Sequence, residues 1–159
     1  MRAVVQRVKQ ASVTVEGETI ARIGRGFVIL LGVARGDNEE AAAWLARKCA
    51  GLRVFEDGAG LMNLALADVS GSVIVVSQFT LYGDASRGKR PSFTDSAPPA
   101  AAEPLYRAFV EALRGEGIPV STGKFQAKML VEIANDGPVT LILEKTATIG
   151  VQGEKPLGT

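Results

Sequence analysis

The chain opens with polar and apolar residues alternating at the period of a half-buried strand. Residues 2–8 place Val4, Gln6 and Val8 on one face and Ala3, Val5 and Arg7 on the other. Ser12-Val13-Thr14-Val15 and Thr19-Ile20-Ala21-Arg22-Ile23 alternate again around a Glu16-Gly17 turn, which predicts a hairpin. Phe27-Val28-Ile29-Leu30-Leu31 is apolar throughout and predicts a strand buried on both faces. The period then lengthens. Asp37-Asn38-Glu39-Glu40 opens a helix, with Asp37 as the expected cap and Glu40 three residues on, as in a capping box. Ala41, Trp44, Leu45, Cys49 and Leu52 form its apolar face.

Arg53-Val54-Phe55 predicts a short strand before an Asp57-Gly58 turn, and Gly71 to Phe79 predicts the strongest strand of the middle region. Residues 83–99, rich in Gly, Ser, Pro and charge, predict a long loop. Such loops in compact domains often carry function. Pro98-Pro99-Ala100 opens a second helix carrying Leu105, Phe109, Ala112 and Leu113, where Pro104 fits only in the first turn. Gly115 or Gly117 ends it. Ile118-Pro119-Val120, Met129 to Ile133 and Val139 to Leu143 are three further strand-like stretches. Short strands, hairpins and two main helices predict an α+β single domain over residues 1–150 with a largely antiparallel, barrel-like sheet. Residues 151–159 predict a flexible tail.

Composition narrows the chemistry. A chain of 159 residues, 47% of them hydrophobic and 22% charged, buries a real core and is not disordered. A net charge of +1 creates no overall field towards nucleic acid or membrane, so anion binding must come from a local patch. The one cysteine, Cys49, excludes an internal disulfide and a cysteine-built zinc site, and its helical spacing predicts a buried thiol. The N-terminus has a charge inside its apolar run, unlike a signal peptide. The run from Phe27 to Val33 is too short to span a bilayer, so a cytoplasmic location without a membrane partner is expected. There is no histidine, which removes the Ser-His-Asp triad, the Cys-His dyad and histidine-ligated metals. Proton transfer near neutral pH then needs another carrier, the substrate included.

Four segments can carry chemistry. Ser77-Gln78-Phe79-Thr80-Leu81 ends a buried strand in polar groups. It is either a strand end with local hydrogen bonds or a place where backbone N–H groups face a ligand. Asn135-Asp136-Gly137-Pro138-Val139-Thr140 reads by spacing as a turn before a strand. Asp84 to Phe93 holds Arg87, Lys89 and Arg90 beside Gly88, either a solvated loop or a phosphate contact. In Lys124-Phe125-Gln126-Ala127-Lys128-Met129, Phe125 and Met129 either pack in the core or line an apolar wall.

Together these segments resemble the D-aminoacyl-tRNA (D-tyrosyl-tRNA) deacylase family in order and spacing. Ser77 to Leu81, Arg90-Pro91-Ser92-Phe93 and Asn135 to Thr140 carry the resemblance, with Met1 to Val8 similar to the family's first strand. It extends to about Lys145, and Gln126 stands where the family often carries Gly. The resemblance implies a homodimer whose active sites lie at the subunit interface, with a cis Gly137-Pro138 inserted into the partner's site and held by Arg7. It implies that Ser77, Gln78, Phe79 and Thr80 face the ester, with the Phe79 N–H near the developing oxyanion, and that Phe125 and Met129 lie beside the terminal adenosine. Lys89 and Arg90 are the expected phosphate contacts at the tRNA acceptor end. No metal or other cofactor is expected.

An aminoacyl ester is an activated bond, so positioned donors can suffice. The missing histidine favours assistance by the ribose 2′-hydroxyl; a Thr80 nucleophile is the rival. A backbone wedge beside Cα excludes L side chains, accepts D side chains and cannot reject glycine. The alternative is a non-enzymatic nucleic-acid-binding module, which shares the basic loop but gives no reason for the other two motifs. A small-molecule esterase with no need for the adenosine is a third possibility.

Overall fold

A computed structural model describes residues 1–147, so the expected tail lies outside the described residues. The strands are β1 (Arg2–Val15), β2 (Glu18–Ile23), β3 (Gly26–Gly32), β4 (Phe55–Glu56), β5 (Met62–Leu64), β6 (Ser72–Ser77), β7 (Val120–Thr122) and β8 (Leu130–Glu144). The helices are α1 (Glu39–Ala50) and α2 (Pro99–Gly115). The main sheet runs β2-β1-β3-β6-β7, with β8 along the other side of β1. β2 returns close to β6 and β7, which curls the sheet towards closure.

The α+β, barrel-like expectation holds, and the sheet, antiparallel in most of its pairings, is mixed rather than purely antiparallel. β1 pairs antiparallel with β2, β3 and β8, whereas β6 pairs parallel with both β3 and β7. Parallel neighbours require long crossovers. α1 lies within the connection from β3 to β6, and α2 within that from β6 to β7. The hairpin signals are local, whereas the parallel pairing depends on where each helix docks.

Burial follows the alternation. Phe27, Ile29, Leu31, Val73 and Val75 join one core cluster with Leu45 and Cys49 of α1 and Phe109 and Leu113 of α2. Val28, Ile74 and Val76 join a second with Val8, Val13 and Ile23, against which Leu30, Met129 and Val131 pack. β3 and β6 are thus buried on both faces, which explains their uninterrupted apolar runs.

Several local expectations change. Asn38, not Asp37, caps α1, its Oδ1 accepting the Ala41 N–H at 2.9 Å. Asp37 instead accepts from the Ala34 N–H and the Met1 amino group, both at 2.7 Å. Trp44, expected on the apolar face, is exposed, with the Lys145 amino group 5.3 Å from its ring centroid. Pro104 lies beyond the first turn of α2, where its missing N–H would have met the Ala100 carbonyl. Both residues are on the solvent side, so water can take that carbonyl. The two strands expected on either side of Asn135–Thr140 are one long β8, with the expected turn inside it.

Burial pushes the Cys49 thiol up from 9.0 to about 12, and the Tyr106 hydroxyl from 10.0 to about 12. A raised folded value favours the native state fully below the unfolded value and loses that contribution as pH rises through the folded one. Unfolding free energy should therefore fall from about pH 9 to pH 12, by at most about 1.4 kcal/mol per pH unit for each group. Denaturant titrations across this range should show the fall, and Cys49→Ala should flatten its first part. An unchanged slope in Cys49→Ala would rule out the thiol as its source.

Candidate active site

The parallel ladder of β3 and β6 ends at Leu31 and Ser77 and continues for one bond, Gln78 N–H to Leu31 O at 2.8 Å. The chain then leaves the sheet. Phe79–Tyr82 form a 3₁₀ turn rather than the last residues of a strand. Phe79 is the first residue of that turn, so its N–H has no acceptor within it. The Ser96 hydroxyl donates to the Phe79 carbonyl at 2.8 Å and anchors the turn from the far side.

A cavity of about 620 Å³ opens at this point. Val76, Ser77, Gln78 and Phe79 form one wall, and Phe125, Gln126, Ala127 and Met129 the facing one. Pro98, Pro99 and Ala102, at the start of α2, form a third side, with Arg35, Phe93 and Ser96 also contributing. Phe125 packs on Tyr106, ring centroids 5.9 Å apart, and Tyr106 donates to the Val75 carbonyl at 2.8 Å. Gln126 adopts φ 60, the left-handed region that glycine enters freely. A non-glycine residue held there costs about 1–3 kcal/mol, and such costs concentrate at ligand sites. Arg35 is the one charged residue among the described lining residues.

Ser77, Gln78, Phe79, Phe125 and Met129, expected from sequence, thus line one cavity. Thr80 does not line it. Its hydroxyl accepts a hydrogen bond from the Gln78 amide, and the residue is exposed. Lys89 and Arg90 lie on the exposed loop beyond the rim.

Gly137 and Pro138 are elsewhere. Thr140 pairs with Gln6 and Asn135 with Val8, so the four residues 136–139 stand opposite the single residue Arg7. That is a bulge with several extra residues, larger than the common two-against-one form. The Gly137-Pro138 bond is cis, and both residues are exposed. Arg7 is 5% exposed; its Nε donates to the Asp136 carbonyl at 3.1 Å and its Nη1 to the Val54 carbonyl at 2.6 Å. Gln6 Oε1 accepts from Asn135 Nδ2 at 2.7 Å and Thr140 Oγ1 at 3.3 Å, tying both ends of the bulge. Gly137 has φ 122, and a Cβ there would stand 2.9 Å from Val139 and 3.1 Å from the Arg7 guanidinium. Glycine is required on both counts.

Gln6, Arg35 and Ser96 went unmarked in the sequence. Gln6 had a signal, a polar residue between Val4 and Val8 on one strand face. Arg35 follows a buried strand, where ligand-facing groups gather. Ser96 carried none.

Comparison with known proteins identifies the family of the whole chain. The family model described as D-Tyr-tRNA(Tyr) deacylase matches residues 4–144. The D-aminoacyl-tRNA deacylase of Symbiobacterium thermophilum is 57% identical over 148 residues, covering 93% of this chain and 98% of the relative. That of Thermotoga petrophila is 56% identical, covering 92% and 98%. A solved structure described as c-Myc DNA Unwinding Element Binding Protein has a TM-score of 0.87 at 45% identity, covering 92% of this chain and 100% of that one. A second, described as a probable eukaryotic D-amino acid tRNA deacylase, shares the fold at 18% identity and a TM-score of 0.74. With the family model spanning most of the chain and relatives above half identity, this chain belongs to the D-Tyr-tRNA(Tyr) deacylase family.

Proposed function

We propose that this protein hydrolyses the ester joining a D-amino acid, or glycine, to the 3′-terminal adenosine of tRNA, and leaves L-aminoacyl-tRNA intact. One observation carries the mechanism. The cavity offers hydroxyl, amide and backbone donors beside an apolar wall, and no Asp, Glu, Lys, Cys or Tyr is among its described lining residues. A site of this kind positions and polarises but holds no general base of its own. The adenosine lies against Phe125 and Met129, and the ester faces Ser77 to Phe79 with the Phe79 N–H towards the oxyanion, while Thr80 acts outside the lining by holding the Gln78 amide. Water attacks the carbonyl carbon, the acyl–oxygen bond breaks, and the proton passes by way of the 2′-hydroxyl to the departing 3′-oxygen.

Selectivity comes from the second subunit of a homodimer. Gly137-Pro138 lies outside its own chain's cavity lining, on an exposed bulge, which suits action in a partner's site. β8 pairs only with β1 among the described strands, and Leu130 and Ile142 on it are 61% and 67% exposed. A free edge with exposed apolar residues is a surface for association. The rigid wedge meets an L side chain at Cα and passes a D side chain or a hydrogen. Its backbone character favours broad acceptance of D-amino acids. Among the described residues no helix is long and apolar enough to cross a membrane. The reaction belongs in the cytoplasm, beside translation.

The name of the 45% identical structure favours a second reading, a DNA- or RNA-binding module that uses the basic loop. Such a module has no need of the Gln6–Arg7 clamp on the bulge.

Hydrolysis by catalytic amounts of protein separates the two. D-tyrosyl- and glycyl-tRNA should turn over many times and L-tyrosyl-tRNA should survive; stoichiometric protection of all three would establish a binder. Gly137→Ala should lower D-tyrosyl turnover at least tenfold while the fold persists in circular dichroism, and wild-type activity in that variant would remove the wedge. A 2′-deoxyadenosine terminus should nearly abolish turnover. Thr80→Ala should keep measurable turnover with no acyl-enzyme in mass spectra, and a trapped acyl-Thr80 in the wild type would replace substrate assistance with a nucleophile.

A further inference from the structure

Two aromatic rings stand exposed beside the cavity. Phe79 is 55% exposed and Phe93 38%, with ring centroids 5.1 Å apart at 67°. Both positions are built. The Ser96 hydroxyl holds the Phe79 backbone. The Phe93 ring lies against Gly83, where a Cβ would stand 2.9 Å from it, so any side chain at 83 would push the ring away.

The loop entering Phe93 is closed by paired bonds, Asp84 N–H to Ser92 O and Ser92 N–H to Asp84 O, each 2.8 Å. It displays Arg87, Lys89 and Arg90, all exposed and none in an ion pair among the described residues. The Asp84 carboxylate is turned back onto the Ser86 N–H at 2.8 Å, and that bond holds it below the usual carboxylate range. A cavity of about 620 Å³ takes a ligand the size of one aminoacyl nucleoside, not a trinucleotide. The strand attached to a bound terminal nucleoside must therefore cross the rim.

We propose that Phe93, backed by Phe79, forms a stacking subsite for the base of the nucleotide next to the terminal adenosine. Arg87, Lys89 and Arg90 neutralise the phosphates of the same strand. The subsite rests on the deacylase reading above and extends it by one nucleotide. The charges beside the rings select a single-stranded nucleic acid as occupant over a second protein subunit. Stacking tolerates any base, so the subsite adds affinity without choosing among tRNAs.

The test compares D-tyrosyl-adenosine with a trinucleotide ending in the same D-tyrosyl-adenosine, using the full-length protein. Wild type should prefer the trinucleotide, and an abasic penultimate nucleotide should lower kcat/KM about tenfold, mainly through KM. Phe93→Leu should reproduce that loss on the intact trinucleotide and lower D-tyrosyl-adenosine turnover by clearly less, so that the preference for the trinucleotide collapses. Phe93→Tyr should restore the preference, and the abasic substrate should cost Phe93→Leu nothing further. Equal loss on both substrates, or a changed oligomeric state in Phe93→Leu, overturns the proposal and assigns the ring to cavity structure or to a subunit interface. Should Phe93→Leu fail to fold, the abasic substrate with wild type still decides, because equal rates with and without the penultimate base overturn the subsite. Absence of turnover on both minimal substrates and on D-tyrosyl-tRNA overturns the esterase reading and the subsite with it.

Discussion

The buried guanidinium of Arg7 is the contact on which the far side of the molecule depends. A charge taken almost wholly out of water must find partners. Arg7 finds the Val54 carbonyl just before the β4–β5 hairpin and the Asp136 carbonyl on the bulge, with the Asp136 carboxylate 3.7 Å away. One side chain therefore joins three segments distant in sequence. Gln6, the preceding residue, ties the flanks of the same bulge through Asn135 and Thr140. Adjacent residues of a strand point to opposite faces. Here the bulge wraps the edge of β1, so both faces hold it. Asn135, Asp136, Gly137 and Thr140 each have a physical task in that clamp.

The cavity is built differently, from the exit of β6 out of the sheet. Parallel pairing with β7 as far as Val75 and with β3 as far as Ser77 guides the chain out of the sheet, and the 3₁₀ turn then releases Phe79 from the ladder. A strand end held by β3 up to the Gln78 N–H to Leu31 O bond is rigid up to that bond. Donors placed just beyond it need little reorganisation during a reaction, which is where oxyanion stabilisation gains its strength. The facing wall, Phe125 to Met129, is held by Tyr106 and by a left-handed Gln126. Cavity and bulge lie on separate parts of one chain.

Much of this was legible in the residues. The periods at Ala3–Val8, Phe27–Leu31 and Ala41–Cys49 report their own burial, because alternation and helical spacing are local consequences of facing a core. The absence of histidine was decisive for the chemistry. Gly137 was visible as a residue but not as a need, since its positive φ and the approach of Arg7 and Val139, which together exclude a Cβ, arise only in the folded chain. Ser96 and Arg35 were invisible, because their roles arise from neighbours on other elements.

The sequence by itself determined both main helices and most of the strands, which of their faces are apolar, and which short motifs hold polar groups without an internal base. Those properties depend on neighbours a few residues away. The tertiary structure alone decided that β6 runs parallel to β3 and β7, that residues 130–144 form one strand with a bulge, and that Ser77, Gln78 and Phe79 share a cavity with Phe125 and Met129 while Gly137-Pro138 does not. Each of these depends on contacts between residues far apart along the chain. Such contacts are selected by how helices cover a sheet and where a buried charge finds its partners, and no local pattern encodes that choice.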